Sequence, residues 1–172
     1  TGLKGFGKAA GIPAATWASG GTMNTARFGN RNAGTQTAAI TFGGNTPPVT
    51  AINELYDGST WTEVNDLNTA RDNMGGLGTS TAALSVGGNT GSRVAINESW
   101  NGTSWTEVGD LNTARKSLAA AGSTTSALAF AGDTPPVSKL NESWNGSAWT
   151  EVGDMNTARQ LLMGGGTQTS AL

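Results

Sequence analysis

Three acidic positions recur along this chain at one fixed interval, and with a recurring arginine they hold most of its capacity for chemistry. Glu54, Glu98 and Glu142 form one set, Glu63, Glu107 and Glu151 a second, and Asp66, Asp110 and Asp154 a third. Paired carboxylates suit general acid–base work, and clustered ones suit calcium. Catalysis, however, breaks repeat symmetry, because one site needs one set of residues. These acids are locked to the interval, as structural residues are, and no D-x-D-x-D-G calcium loop is present. The favoured reading is a charged hydrogen bond from Arg115 to Asp110 or Glu107 that pins a connecting loop, since a buried charge needs a partner.

Other motifs carry less. In "GLKGFGKA", Gly2, Gly7 and Lys8 have the spacing of a phosphate-binding loop, but Ala9 stands where a hydroxyl would reach magnesium. That stretch reads as a Gly-rich linker. Asn97, Asn101, Asn141 and Asn145 each open an N-x-S/T sequon, and hairpin turns explain two of them, Asn101 and Asn145, without glycosylation. Cys and His are absent, which removes disulfides, thiolate and imidazole metal sites, Cys nucleophiles and Ser-His-Asp triads. No metal site, cofactor or enzymatic activity is expected. The ten basic residues are scattered in a chain of net charge −2, with no stripe for nucleic acid. No apolar run approaches the roughly 18 residues of a membrane span. The chain opens at Thr1 without a charged-then-apolar leader, so any signal peptide is expected to be already removed or never present.

The interval itself dictates the elements that position these residues. The string N-T-A-R ends at Arg27, Arg71, Arg115 and Arg159, a period of 44 residues, and Trp17, Trp61, Trp105 and Trp149 keep it. So do Tyr56, Trp100 and Trp144. With 26 glycines and 13% charged residues, the composition favours short strands and tight turns over helices. One period reads as four strands, near Asn73 to Gly78, Ala82 to Val86, Val94 to Trp100 and Trp105 to Val108. Gly87-Gly88 is expected to stop the second strand. Asn101-Gly102, like Asp57-Gly58 and Asn145-Gly146, predicts a two-residue type I′ hairpin.

Such units predict an all-β propeller of 44-residue four-stranded blades, each needing its neighbours to cover its faces. The small first strands ("NMGGLG", "SLAAAG", "LLMGGG") fit the crowding at a propeller axis. Trp17, Trp61, Trp105 and Trp149 are then the packing mass between blades. Arg27, Arg71, Arg115 and Arg159, with Asp66, Asp110 and Asp154, are the structural ties.

The order Arg, Gly-Gly, aromatic, Trp, next Arg resembles the kelch repeat. In "YDGSTWTEVNDLNTAR", Tyr56 looks like the family's strand-three tyrosine, Trp61 like its strand-four tryptophan and Arg71 like the arginine opening the next repeat. The resemblance covers residues 17–172, about four blades' worth, and leaves residues 1–16 as a divergent Gly/Ala-rich leader. Kelch propellers commonly have more than four blades, so the resemblance implies a fragment of a larger propeller. Tyrosine gives way to Trp100 and Trp144 in later repeats, and Ala131-Gly132 replaces the glycine pair.

For function, the leading expectation is a binding or structural module contacting protein or glycan surfaces, or other blades or subunits of an assembly. The loops after strand two vary, which makes Pro47, Pro48, Arg93, Pro135 and Pro136 candidate contacts. Trp100 and Trp144, beside a Glu on an outer strand, either stack on a sugar or pack against the next blade. The Asn and Thr of N-T-A-R either cap a turn or form a row of polar pockets. The wording of the repeats also resembles kelch-like segments of large bacterial or phage surface proteins, which implies a tail fibre, capsid-surface or adhesin part, on a virion or at the cell surface. Alternatives are a purely assembling propeller and a sugar-handling enzyme on the same fold.

Overall fold

Glycine, alanine and β-branched residues between turn signals leave this chain little but strands to form. The computed structural model describes residues 20–171, so Trp17, the 1–16 leader and its phosphate-loop-like stretch lie outside the described residues. One sheet joins β1 (Arg31–Thr35), β2 (Ala38–Phe42), β3 (Asn53–Tyr56) and β4 (Trp61–Val64). A second joins β5 (Gly75–Gly78), β6 (Ala83–Asn89), β7 (Arg93–Trp100) and β8 (Trp105–Val108). A third joins β9 (Ala119–Ser123), β10 (Ser126–Phe130), β11 (Asn141–Trp144) and β12 (Trp149–Val152). A short hairpin follows, β13 (Gly166–Thr167) with β14 (Ser170–Ala171). Each four-stranded sheet is an antiparallel meander in chain order, and the described residues contain no helix. The chain is all-β, and its sheets are arranged as consecutive propeller blades.

Two local expectations are corrected. Gly87-Gly88 does not end the second strand of the middle sheet. The strand continues to Asn89 across a register shift between Val86 and Gly88, with both glycines at positive φ (60° and 117°). The glycine pair makes a bulge there. In the first and third sheets the strand does stop, at Phe42 and Phe130. The outer hairpins are not two-residue turns. Trp100 lies opposite Trp105, leaving a four-residue loop in which Gly102 alone has positive φ (95°). The Asn101 side chain organises that loop, its Oδ1 accepting the Thr103 and Ser104 backbone N–H groups, both at 2.9 Å. Asp57 and Asn145 do the same in their own loops.

The sheets stack through two apolar interfaces built to one plan. Ile40, Phe42 and Leu67 receive Met74, Ala83, Trp100 and Trp105 of the next sheet. Leu84, Val86 and Leu111 receive Leu118, Ala127, Trp144 and Trp149. Side chains 44 residues apart therefore occupy corresponding places.

At the inner edge, the first strands of successive sheets run side by side, and small residues are a steric requirement. A Cβ on Gly76 would stand 2.8 Å from the Cβ of Arg31, and one on Gly75 would stand 3.0 Å from that of Ala120. A chain of backbone hydrogen bonds links the units there. The N–H of Asn73 donates to Gly29 O at 2.8 Å, that of Ser117 to Asn73 O at 2.6 Å, and that of Leu161 to Ser117 O at 2.8 Å. All four of these residues have φ between 53° and 67°.

Candidate functional site

The most elaborate polar arrangement is built from the repeated N-T-A-R string, and its partner is the strand-three glutamate of the sheet that the string leads into. Arg27 Nη1 meets Glu54 Oε1 at 2.6 Å and Arg115 Nη2 meets Glu142 Oε1 at 3.0 Å, while Arg71 Nη1 makes the same contact with Glu98. The asparagine of each string adds two donors to the same carboxylate. The Asn68 backbone N–H reaches Glu98 Oε2 at 2.7 Å and its Nδ2 reaches it at 2.8 Å. Asn24 and Asn112 repeat this pair of contacts at Glu54 and Glu142. Nδ2 of Asn24, Asn68 and Asn112 also donates to the carbonyl of Trp61, Trp105 and Trp149, at 2.9, 3.0 and 3.0 Å. The connector is thus latched onto strands three and four of its own sheet.

Electrostatics follow from this geometry. Burial raises the pKa of Glu54, but the Asn24 backbone N–H, the Arg27 guanidinium and the Thr25 N–H outweigh it and hold the carboxyl below its ordinary value. At Arg71 and Arg115 burial is the larger effect and lowers the pKa, opposed by Glu98 and Glu142. An arginine stays protonated regardless. A carboxylate saturated by donors is a poor proton acceptor, so the latch serves architecture.

The expected partners of Arg115, Asp110 and Glu107, are therefore replaced by Glu142. Of the aspartates, Asp66 accepts the Asn53 backbone N–H at 3.2 Å, and Asp154 pairs at 3.2 Å with the exposed Lys139. Arg159 is exposed and joins the third sheet through backbone, its carbonyl accepting the Gly132 N–H at 2.9 Å.

Trp100 and Trp144, offered as sugar platforms, are each only 1% exposed. Their indole N–H groups donate to Ser80 O and Thr124 O at 3.1 and 2.9 Å, and their rings lie against Trp105 and Trp149. No face is left for a ligand, because the neighbouring sheet covers that side of the strand. Trp105 and Trp149 are buried with them, whereas Trp61 is half-buried beside Tyr56 at 4.9 Å.

The loops behave differently. Pro47, Pro48, Pro135 and Pro136 are exposed, and the Pro47-Pro48 and Pro135-Pro136 bonds are cis. Thr46 and Thr134 fasten these tips, donating to Pro48 O and Pro136 O at 3.2 and 2.9 Å. Arg93, the candidate in the middle loop, is engaged by the next one, with Nη2 2.9 Å from Asp133 Oδ2 and Nε 3.1 Å from Asp133 O. The loops share one rim with the N-T-A-R connectors, because β4 ends opposite the first residue of β3.

One candidate escaped the repeat-based reading. Arg31 stands where the other units have Gly75, Ala119 and Met163, and it lines the cavity between the innermost strands. The signal was in the sequence as a break in the period.

No family model matches the chain, and the search of curated proteins finds no relative.

Proposed function

We propose that the chain is a non-enzymatic recognition module of kelch-like propeller type, a rigid frame whose contacts are made by the proline-tipped loops of one rim. The observation that carries this reading is the division of labour among its polar residues. The strand-three carboxylates and the arginines of their latches are consumed inside the frame, while Pro47-Pro48 and Pro135-Pro136 stand exposed on loops that differ between units. Short, fastened, solvent-facing tips on a stiff scaffold suit contact with a protein or glycan surface. A place on a virion fibre, capsid surface or cell-surface adhesin accords with the low charge and near-identical units. Binding to arrayed glycans and to bacterial surface extracts tests it. Replacing both Pro-Pro pairs by Gly-Ser should abolish the interaction and leave the thermal midpoint within a few degrees; retained binding would refute the assignment to these loops.

Assembly is a second reading, favoured by one observation. Leu128, Phe130 and Met155 of the third sheet correspond to the buried Leu84, Val86 and Leu111 that receive Trp144 and Trp149, yet they remain partly exposed around an apolar groove. A second copy presenting Tyr56 and Trp61 fits that groove head to tail. Native mass should then rise above 17.3 kDa with concentration and return to it in Phe130→Asp. A monomer at every concentration would remove this reading.

A further inference from the structure

The innermost strands line an open cavity of about 260 Å³, bordered by Arg31, Gly75, Gly76, Leu118, Ala120 and Gly164 among others. Asn32, Leu162 and Met163 also line it, and Arg31 is the one charged side chain among its walls. Arg27, Arg71, Arg93 and Arg115 each have a carboxylate partner, but among the described residues no carboxylate stands within ion-pair distance of Arg31. Residues 1–19 contain no Asp or Glu that would supply one. Among the described residues, the side chain's only hydrogen bond runs from Nη1 to Asn30 O at 3.0 Å, which leaves most of the five guanidinium donors uncommitted.

We propose that this cavity binds a small oxyanion group, a carboxylate or a phosphate, on the guanidinium of Arg31. Arg31 is half-buried, so its guanidinium keeps some access to water, and its planar fork matches either group with two parallel hydrogen bonds. Burial lowers the pKa of Arg31, which accords with a charge held short of a counter-ion. Gly76 gives the arginine stem its space, since a Cβ there would stand 2.8 Å from Arg31 Cβ. The cavity volume admits an inorganic anion or the acid-bearing ring of one sugar. This site lies between the first strands of the units, so it stands or falls separately from the rim loops.

The test follows backbone amide shifts of Gly75, Gly76, Ala119 and Ala120 at constant ionic strength during titration with inorganic phosphate, glucuronate or glucose. Saturable shifts with phosphate alone identify a free-phosphate site, and saturable shifts with glucuronate identify an acidic-sugar site. Either supports the proposal if glucose has no effect and Arg31→Gln weakens binding at least tenfold while Arg31→Lys retains part of it. Equal affinity in Arg31→Gln, or shifts that never saturate, overturns it. Should Arg31→Gln fail to fold, phenylglyoxal modification of the unaltered protein decides: the anion slows labelling of Arg31 if the proposal holds, and unchanged labelling refutes it.

Discussion

Arg115 and Glu142 meet at 3.0 Å with their side chains 0% and 1% exposed, and the two residues belong to different elements 27 positions apart. Each is the other's reason for being inside. Withdrawing the partner from such a pair strands a charge in a poorly solvating interior, which costs more than the pair itself contributes.

Glu98→Ala should therefore lower unfolding stability by roughly 3–5 kcal/mol, the usual cost of removing one member of a buried pair. Urea denaturation measures it. Glu107→Ala, on an exposed strand-four residue of the same sheet, should change stability by under about 0.5 kcal/mol. Equal effects from the two substitutions would mean that the latch does not carry the stability assigned to it.

The pH dependence has a definite sign. The folded-state pKa of Glu54 lies below the value of 4.5 expected for an unperturbed glutamate, so its contribution is present above that value and disappears as pH falls through the folded pKa. The stability gap between the unaltered protein and Glu54→Gln should be widest near neutrality and should narrow steadily below about pH 4.5. Denaturant midpoints measured from pH 7 to pH 2.5 check this. A gap that widens with acid would reverse the assignment.

Trp100→Ala should cost roughly 3–5 kcal/mol, because a fully buried indole leaves a cavity that rigid sheets cannot close. Trp61→Ala, at a half-buried position, should cost distinctly less. Comparison of the two thermal midpoints is the measurement, and a larger loss at Trp61 would contradict the packing described.

Gly76→Ala should destabilise by roughly 1–3 kcal/mol through overpacking, since the added methyl meets Arg31 Cβ at 2.8 Å and Phe42 Cζ at 3.1 Å. Gly153→Ala, where a Cβ meets nothing within 4 Å, is the matching control and should be nearly neutral. Urea midpoints of the two variants should separate clearly.

Periodicity made much of the architecture readable: four strands per unit, small residues innermost, tryptophans between sheets. It also set the boundary of what was readable. Glu98, Glu107 and Asp110 all keep the same period, so spacing alone does not tell which acid faces Arg71. The register of a meander decides that, and it brings strand three beside the incoming connector. Alternation along β7 placed Glu98 and Trp100 on one face, but in a stack of sheets both faces are covered, so the alternation does not distinguish a ligand platform from core. Asn101-Gly102 marked its turn correctly and mis-stated its length, because the Asn101 side chain stands in for the backbone hydrogen bonds of a tighter hairpin. Arg31 shows the converse, a position legible only as an interruption of the pattern.

The backbone relay from Gly29 through Asn73 and Ser117 to Leu161 gives the array a grammar. Each inner unit accepts from the one after it and donates to the one before, through backbone groups that every residue except proline carries. A 44-residue insertion or deletion made at this seam therefore needs no compensating side-chain change along the relay. Adding or removing one unit thus changes the length of the array without changing the contact that joins its units.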